Sequence, residues 1–193
     1  MENIKANNYE NAGKRKSLLK VCFIALFAAL IAGGTFIAIP IGPVPIVLQN
    51  LFIVLAGLIL GPFMGAASVA LYLLAGLLGA PVFAGFTSGI IRFAGPTGGY
   101  LIGYLLAALV TGLIVGKPGI NASLTRIILA VAAGFLIVYV PGLLWLYHIT
   151  EMPLNSLFIS GFALFLPGDI LKGIAAVLIA KRARITAADF LYG

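Results

Sequence analysis

The sequence predicts an all-α integral membrane protein of six transmembrane helices, with both termini in the cytoplasm. Three observations carry that expectation. The 193 residues are 62% hydrophobic and 9% charged, with mean hydropathy +1.17, which is more apolar surface than a soluble domain of this size can hide. The apolar residues fall into runs that approach the length needed to cross a hydrocarbon core ~30 Å thick. The basic residues behind the net charge of +7 sit at the ends of those runs. That is a membrane-topology pattern rather than a nucleic-acid patch. A single cysteine, Cys22, and a single histidine, His148, exclude a disulfide framework and a Cys/His metal cluster.

Residues 1–16 are polar, end in Lys14-Arg15-Lys16 and read as a cytoplasmic tail, loose or lying on the membrane surface. The apolar stretch from Ser17 to Ile39 outlasts the ~7–15-residue core of a secretory signal, so it reads as an uncleaved first helix. The spans expected are 17–38, 46–60, 63–79, 97–115, 124–146 and 156–181, within one membrane domain, 17–182. A short cytoplasmic tail, 183–193, follows. In the first span Ala25/Ala29 and Ala28/Ala32 form small-xxx-small faces, suited to close helix approach. The second and third spans are short and are joined by the breaker Gly61-Pro62. In the fourth, Thr97 is placed to act as N-cap, and Gly99 and Gly103 form a GxxxG step. Pro141 kinks the fifth. In the sixth, Pro167 cannot donate to the carbonyl of Ala163 and should kink the helix there.

Orientation follows from Lys and Arg. With the N-terminus inside, the inner segments hold Lys5, Lys14, Arg15, Lys16, Lys20, Lys117, Arg126, Lys181, Arg182 and Arg184. The outer connections 39–45, 80–96 and 147–155 hold only Arg92. This asymmetry puts both termini in the cytoplasm.

Asp169 and Lys172 are the only charges in the run from Leu157 to Ala180. At i and i+3 they share a helix face. At ~1.5 Å per residue they lie roughly 18 and 13 Å from Lys181. Charges so deep are costly and mark polar sites. A pair that merely pins helix packing is the plain alternative, but the break expected at Pro167 favours a ligand pocket. The outer connections are apolar, as a lid would be. Gln49 and Asn50 open the second span as helix caps or ligand contacts. Arg92 suits a carboxylate or a headgroup phosphate. Tyr139 and Trp145 flank the kink at Pro141, with Tyr139 the deeper and Trp145 a natural member of an interfacial belt. The absence of GxxxxGK[ST] removes a phosphate-cradling loop. No Ser/His/Asp or metal-ligand set shares one depth, so the chain does not read as an enzyme.

Together, the runs Val44-Pro45-Ile46-Val47-Leu48-Gln49-Asn50, Leu55–Pro62, Leu71-Tyr72-Leu73-Leu74, Pro81–Gly85, Gly95-Pro96-Thr97-Gly98-Gly99-Tyr100 and Gly168-Asp169-Ile170-Leu171-Lys172 resemble the BioY family. These are the biotin-specific substrate-binding (S) components of energy-coupling factor (ECF) transporters. The resemblance covers about residues 17–182. It implies an S-component bundle of six helices that captures biotin from outside, with no cofactor. It also implies partnership in the bilayer with a transmembrane coupling (T) component and two cytoplasmic ATPase (A) components. Ala25 and Ala29 would then face the coupling component. Biotin offers two ureido N–H donors, a carbonyl, a thioether and a carboxylate tail. Asp169 and Lys172 match its ureido end or an oxygen, Arg92 the other end, and the aromatic residues its apolar body. A stand-alone proton-coupled small-molecule symporter built on the Asp–Lys pair is the alternative. Loss of import when the proton gradient collapses at constant ATP would favour it.

Overall fold

The computed structural model describes residues 2–40, 43–116, 118 and 122–192, with side chains from Gly13 to Leu191 within them. Ile41, Gly42 and Lys117 of the topology argument lie outside the described residues, as does the side chain of Lys5. In chain order the elements are α1 (Glu2–Phe36), β1 (Ala38–Ile39), β2 (Ile46–Val47), α2 (Gln49–Leu60), α3 (Pro62–Leu77), α4 (Ile91–Ala94), α5 (Gly98–Val115), α6 (Leu124–Thr150), α7 (Leu154–Phe158), a π-helical turn (Ile159–Ala163) and α8 (Leu166–Tyr192). Four segments are long and apolar enough to cross a membrane: Gly13–Phe36, Gly98–Val115, Leu124–Thr150 and Leu154–Leu191. Helices α2 and α3 are apolar but shorter.

Helix α2 stands at the centre. Its 12 residues reach only ~18 Å, yet ten of them are buried, as a helix apolar on all sides must be. A short buried helix leaves orphan carbonyls at its end. Here the Arg184 guanidinium donates to Leu58 O, and at 3.4 Å to Gly116 O, where α5 ends. Arg126 Nε donates to Ile114 O at 2.5 Å. The Arg184 contacts anchor a longer last helix. Residues 183–191, expected as a tail, continue α8, and Arg184, Ala187 and Leu191 are buried. The N-terminal residues expected to be loose are likewise helical from Glu2.

Glycines set the other close approaches. A Cβ on Gly57 would overlap Ala108 O, one on Gly99 would overlap Pro141 O, and one on Gly103 would lie 2.7 Å from Val138 O. The GxxxG step thus seats α5 directly on the α6 backbone. The breaker between α2 and α3 is in place, with Gly61 at φ 83° and Pro62 opening α3. Proline there lacks only an N–H that would have had no helical partner. On α1, Ala28 is buried, while Ala25 and Ala29 face outward.

Several local expectations need correction. The stiff connection 39–45 is flanked by a short antiparallel ribbon pairing Ala38 with Val47 and Ile39 with Ile46. Helix α2 therefore begins at Gln49, not Ile46. Thr97 does precede α5, but its backbone is already helical (φ −87°, ψ −8°), unlike the extended N-cap. Its hydroxyl donates to Arg92 O at 3.3 Å instead. Neither Gln49 nor Asn50 caps α2. Pro167 does not kink one long helix. The chain breaks earlier, through α7 and the π turn, and Pro167 falls in the first turn of α8, where its missing N–H costs little.

The connection from α3 to α5 folds back over the ribbon end of the bundle. Phe83 is buried and pairs with Thr87. Its ring lies where a Gly76 side chain would be, edge-on to Tyr72 at 5.6 Å and to Phe93 at 5.8 Å. Phe86 takes a left-handed backbone (φ 57°) and stacks on Phe36 at 4.6 Å.

Candidate ligand-binding site

The break before α8 decides where the charges go. Asp169 lies in the first turn of α8, where the helix dipole favours an anion, and Lys172 lies one turn on. Lys172 Nζ sits 2.5 Å from Asp169 Oδ1. Oδ1 has no hydrogen-bond partner of good geometry, so this contact is ionic. Tyr139 Oη, from α6, donates to Asp169 Oδ2. Lys172 Nζ donates at 3.1 Å to Val47 O, in the ribbon. Both side chains are almost fully enclosed, at 5% and 7% exposure. The pair lies directly against the ribbon, nearer that end of the bundle than a mid-membrane position.

An ionised carboxylate offers about four acceptor sites, and an ammonium has three donors. One carboxylate site is taken by Tyr139 and Oδ1 faces the Lys172 ammonium, which spends one donor on Val47 O. The pair therefore keeps capacity to accept from an N–H and to donate to an oxygen.

Asp169 lines an open apolar groove of about 470 Å³ with Phe135, Leu166 and Ile174. Two small cavities, of about 30 and 10 Å³, lie between the ribbon and α5, sharing Val44, Pro45, Val47, Tyr100 and Tyr104. Neither is lined by Asp169 or Lys172, and they adjoin the pair only through its partners Val47 and Tyr139. The larger also meets Gln49, Tyr72, Phe83 and Arg92, and the smaller meets Asn50, Tyr139 and Phe165. The larger has room for about one water. Gln49 Oε1 contacts Thr35 Oγ1 at 2.5 Å and accepts from Tyr72 Oη at 3.3 Å. Asn50 Oδ1 is buried and has no partner among the described residues. Arg92, half-buried on α4, spends one N–H on Ala84 O at 3.0 Å and keeps others. Trp145 lines neither cavity. Its indole N–H donates to Gly95 O at 2.9 Å, its ring lies against Gly98 and its Cβ against Gly99, which secures the turn between α4 and α5.

Sequence reasoning did not single out Thr35, Tyr72, Tyr100 or Tyr104 as site residues. Thr35 and Tyr72 are lone polar groups in apolar helices, a readable signal. Tyr100 and Tyr104, at i and i+4 on α5, form a face that could have been found by spacing. Tyr100 Oη also donates to Gly161 O at 2.8 Å, inside the π turn. π-helical turns are frequent at functional sites, and nothing in the local sequence announces this one.

The profile of the BioY family matches residues 7–189. The chain belongs to the BioY family. It is 43% identical to a probable biotin transporter BioY of Pyrococcus horikoshii, across 84% of this chain and 94% of that one. It is 39% identical to a biotin transporter BioY of Thermotoga maritima, across 81% and 90%. Among solved structures, it is similar to the S-component for biotin from an ECF-type ABC transporter, with TM-score 0.80 and 35% identity over 87% of this chain and 92% of that one. This BioY-family chain is therefore a helical membrane protein with the S-component fold, and its relatives are named as transporters rather than enzymes.

Proposed function

We propose that this BioY-family chain captures biotin from the outside and delivers it into the cell as the S component of an ECF-type ABC importer. A transmembrane coupling component and two cytoplasmic ATPase components would supply the energy. The observation that carries this reading is the Asp169–Lys172 pair, buried against the ribbon and Tyr139 with acceptor and donor capacity left over. A ureido group offers the matching N–H and carbonyl. Arg92, on the wall of the larger cavity, would take the carboxylate tail, with Gln49 and Asn50 as further polar contacts. Tyr139 acts by orienting Asp169, and Trp145 by holding the α4–α5 turn, rather than by touching the ligand.

The ribbon end would face outside, because Lys14, Arg15, Lys16, Lys20, Lys181 and Arg182 belong to the opposite end. Ala25 and Ala29, exposed on α1, would dock the coupling component, and residues 17–182 would form the binding domain.

Titration calorimetry of the purified chain, with no ATP present, is the test. About one biotin per chain is expected. No heat with biotin, but heat with another vitamin, would overturn the substrate. Import that stops when the proton gradient collapses at constant ATP would instead support a symporter.

A further inference from the structure

A second hollow lies at the other end of the bundle, between α1 and α8. It is an open groove of about 1080 Å³. Its walls are Leu26 and Leu30 of α1 and Leu178 and Ile179 of α8, all open to the surroundings. Its rim carries Lys181 and Arg182, both exposed. Among the described residues, neither forms an ion pair with an acidic side chain.

The depth of that rim can be read from its neighbours. Arg184, two residues beyond Arg182, binds the carbonyls that close α2 and α5. Lys181 and Arg182 thus stand where those apolar helices end, and Lys20 of α1 follows within a turn of Phe23 on the groove wall. Apolar walls lie on the hydrocarbon side of this level and cations at the level itself. That is the arrangement of a headgroup site between transmembrane helices.

We propose that this groove binds one anionic phospholipid from the leaflet at that end. The phosphate sits on Lys181 and Arg182, and an acyl chain lies between Leu26, Leu30 and Leu178. A zwitterionic lipid brings its own cation to the rim and binds more weakly.

The detergent-solubilised full chain, titrated separately with phosphatidylglycerol and phosphatidylcholine and read by native mass spectrometry, tests this. One phosphatidylglycerol should bind in preference to phosphatidylcholine. Lys181→Gln with Arg182→Gln should weaken it about thirty-fold, at roughly 1 kcal/mol per basic residue. Leu26→Trp fills the groove from its open side and should abolish the same binding with both charges kept. Thermal melts check that the variants fold. If the double variant does not, Lys181→Gln alone should weaken binding about five-fold. Equal binding of the two lipids, or phosphatidylglycerol binding unchanged in the folded variants, overturns the proposal. So does a groove that takes a helix of a membrane partner but no phosphatidylglycerol.

Discussion

Asp169 has one oxygen on Tyr139 and the other facing Lys172, so its charge serves two purposes that a single substitution cannot separate. If Asp169 accepts from a ureido N–H as proposed, Asp169→Asn removes a charged acceptor that would contribute about 1.5–3 kcal/mol. Biotin affinity should fall by about one to two orders of magnitude. The same change strands Lys172, and breaking a buried pair costs ~3–5 kcal/mol of stability. Asp169→Asn with Lys172→Met removes both charges and should melt close to the parent while still binding poorly. If that double variant binds like the parent, the pair is structural. Asn50 separates the two effects differently. Its buried, unpaired Oδ1 costs the ligand-free protein about 1–3 kcal/mol. Asn50→Leu should therefore raise the ligand-free melting temperature and weaken biotin binding, as calorimetry and a thermal melt together would show. A lower melting temperature with unchanged binding would remove Asn50 from the site.

Among the helices, small residues mark two different surfaces, and sequence alone does not separate them. Gly99 touches the α6 backbone, whereas a Cβ on Gly33 would meet nothing within 4 Å. Gly99→Ala should force α5 from α6 and lower the melting temperature strongly, since overpacking costs typically 1–3 kcal/mol or more. Gly33→Ala should be neutral or stabilising, because alanine orders a helix better by roughly 0.5–1 kcal/mol. Equal effects at both sites would contradict this packing. The two faces of α1 divide likewise: Ala28 is inside and Ala29 outside. Ala29→Trp should spare biotin binding and reduce co-purification with the coupling component, whereas unchanged co-purification would place docking elsewhere.

The same limit explains what could be read beforehand. The apolar runs, the Gly61-Pro62 break, the GxxxG step and the Asp169–Lys172 spacing are local, and each appears in the structure. The ribbon, the π turn and the helical continuation past Arg182 depend on distant partners, namely the Val47–Ala38 pairing, the Tyr100 hydroxyl and the carbonyls of Leu58 and Gly116. Arg184 reads in sequence as one more basic residue near an end. Only the folded helix ends give its guanidinium a purpose.

For the whole molecule, the small volume between the ribbon, the α3–α5 connection and α5 sets a mechanical requirement. A cavity of about 30 Å³ cannot admit biotin, so part of the ribbon end must move before binding. The connection from α3 to α5 covers the larger cavity with Phe83, Ala84 and Arg92. It is held by Phe83 in the niche at Gly76, Gly89 N–H to Gly76 O at 2.8 Å, the Phe86–Phe36 stack and Arg92 on its own Ala84. Its glycines at φ 74° and 85°, Gly85 and Gly89, lie on either side of Phe86, where the backbone can swing at low cost. Opening would withdraw Phe83 and expose the larger cavity, with Arg92 carried on the moving segment. The Phe36–Phe86 stack joins this lid to α1 and offers a place to lock it. In a Cys22→Ser background, Phe36→Cys with Phe86→Cys, bridged by a short bis-maleimide, should slow biotin association at least about ten-fold, read by stopped-flow quenching of Trp145 fluorescence. The unbridged double variant should associate at near the parent rate. Equal association with and without the bridge would move the entrance to the first connection, above Pro43, Val44 and Pro45.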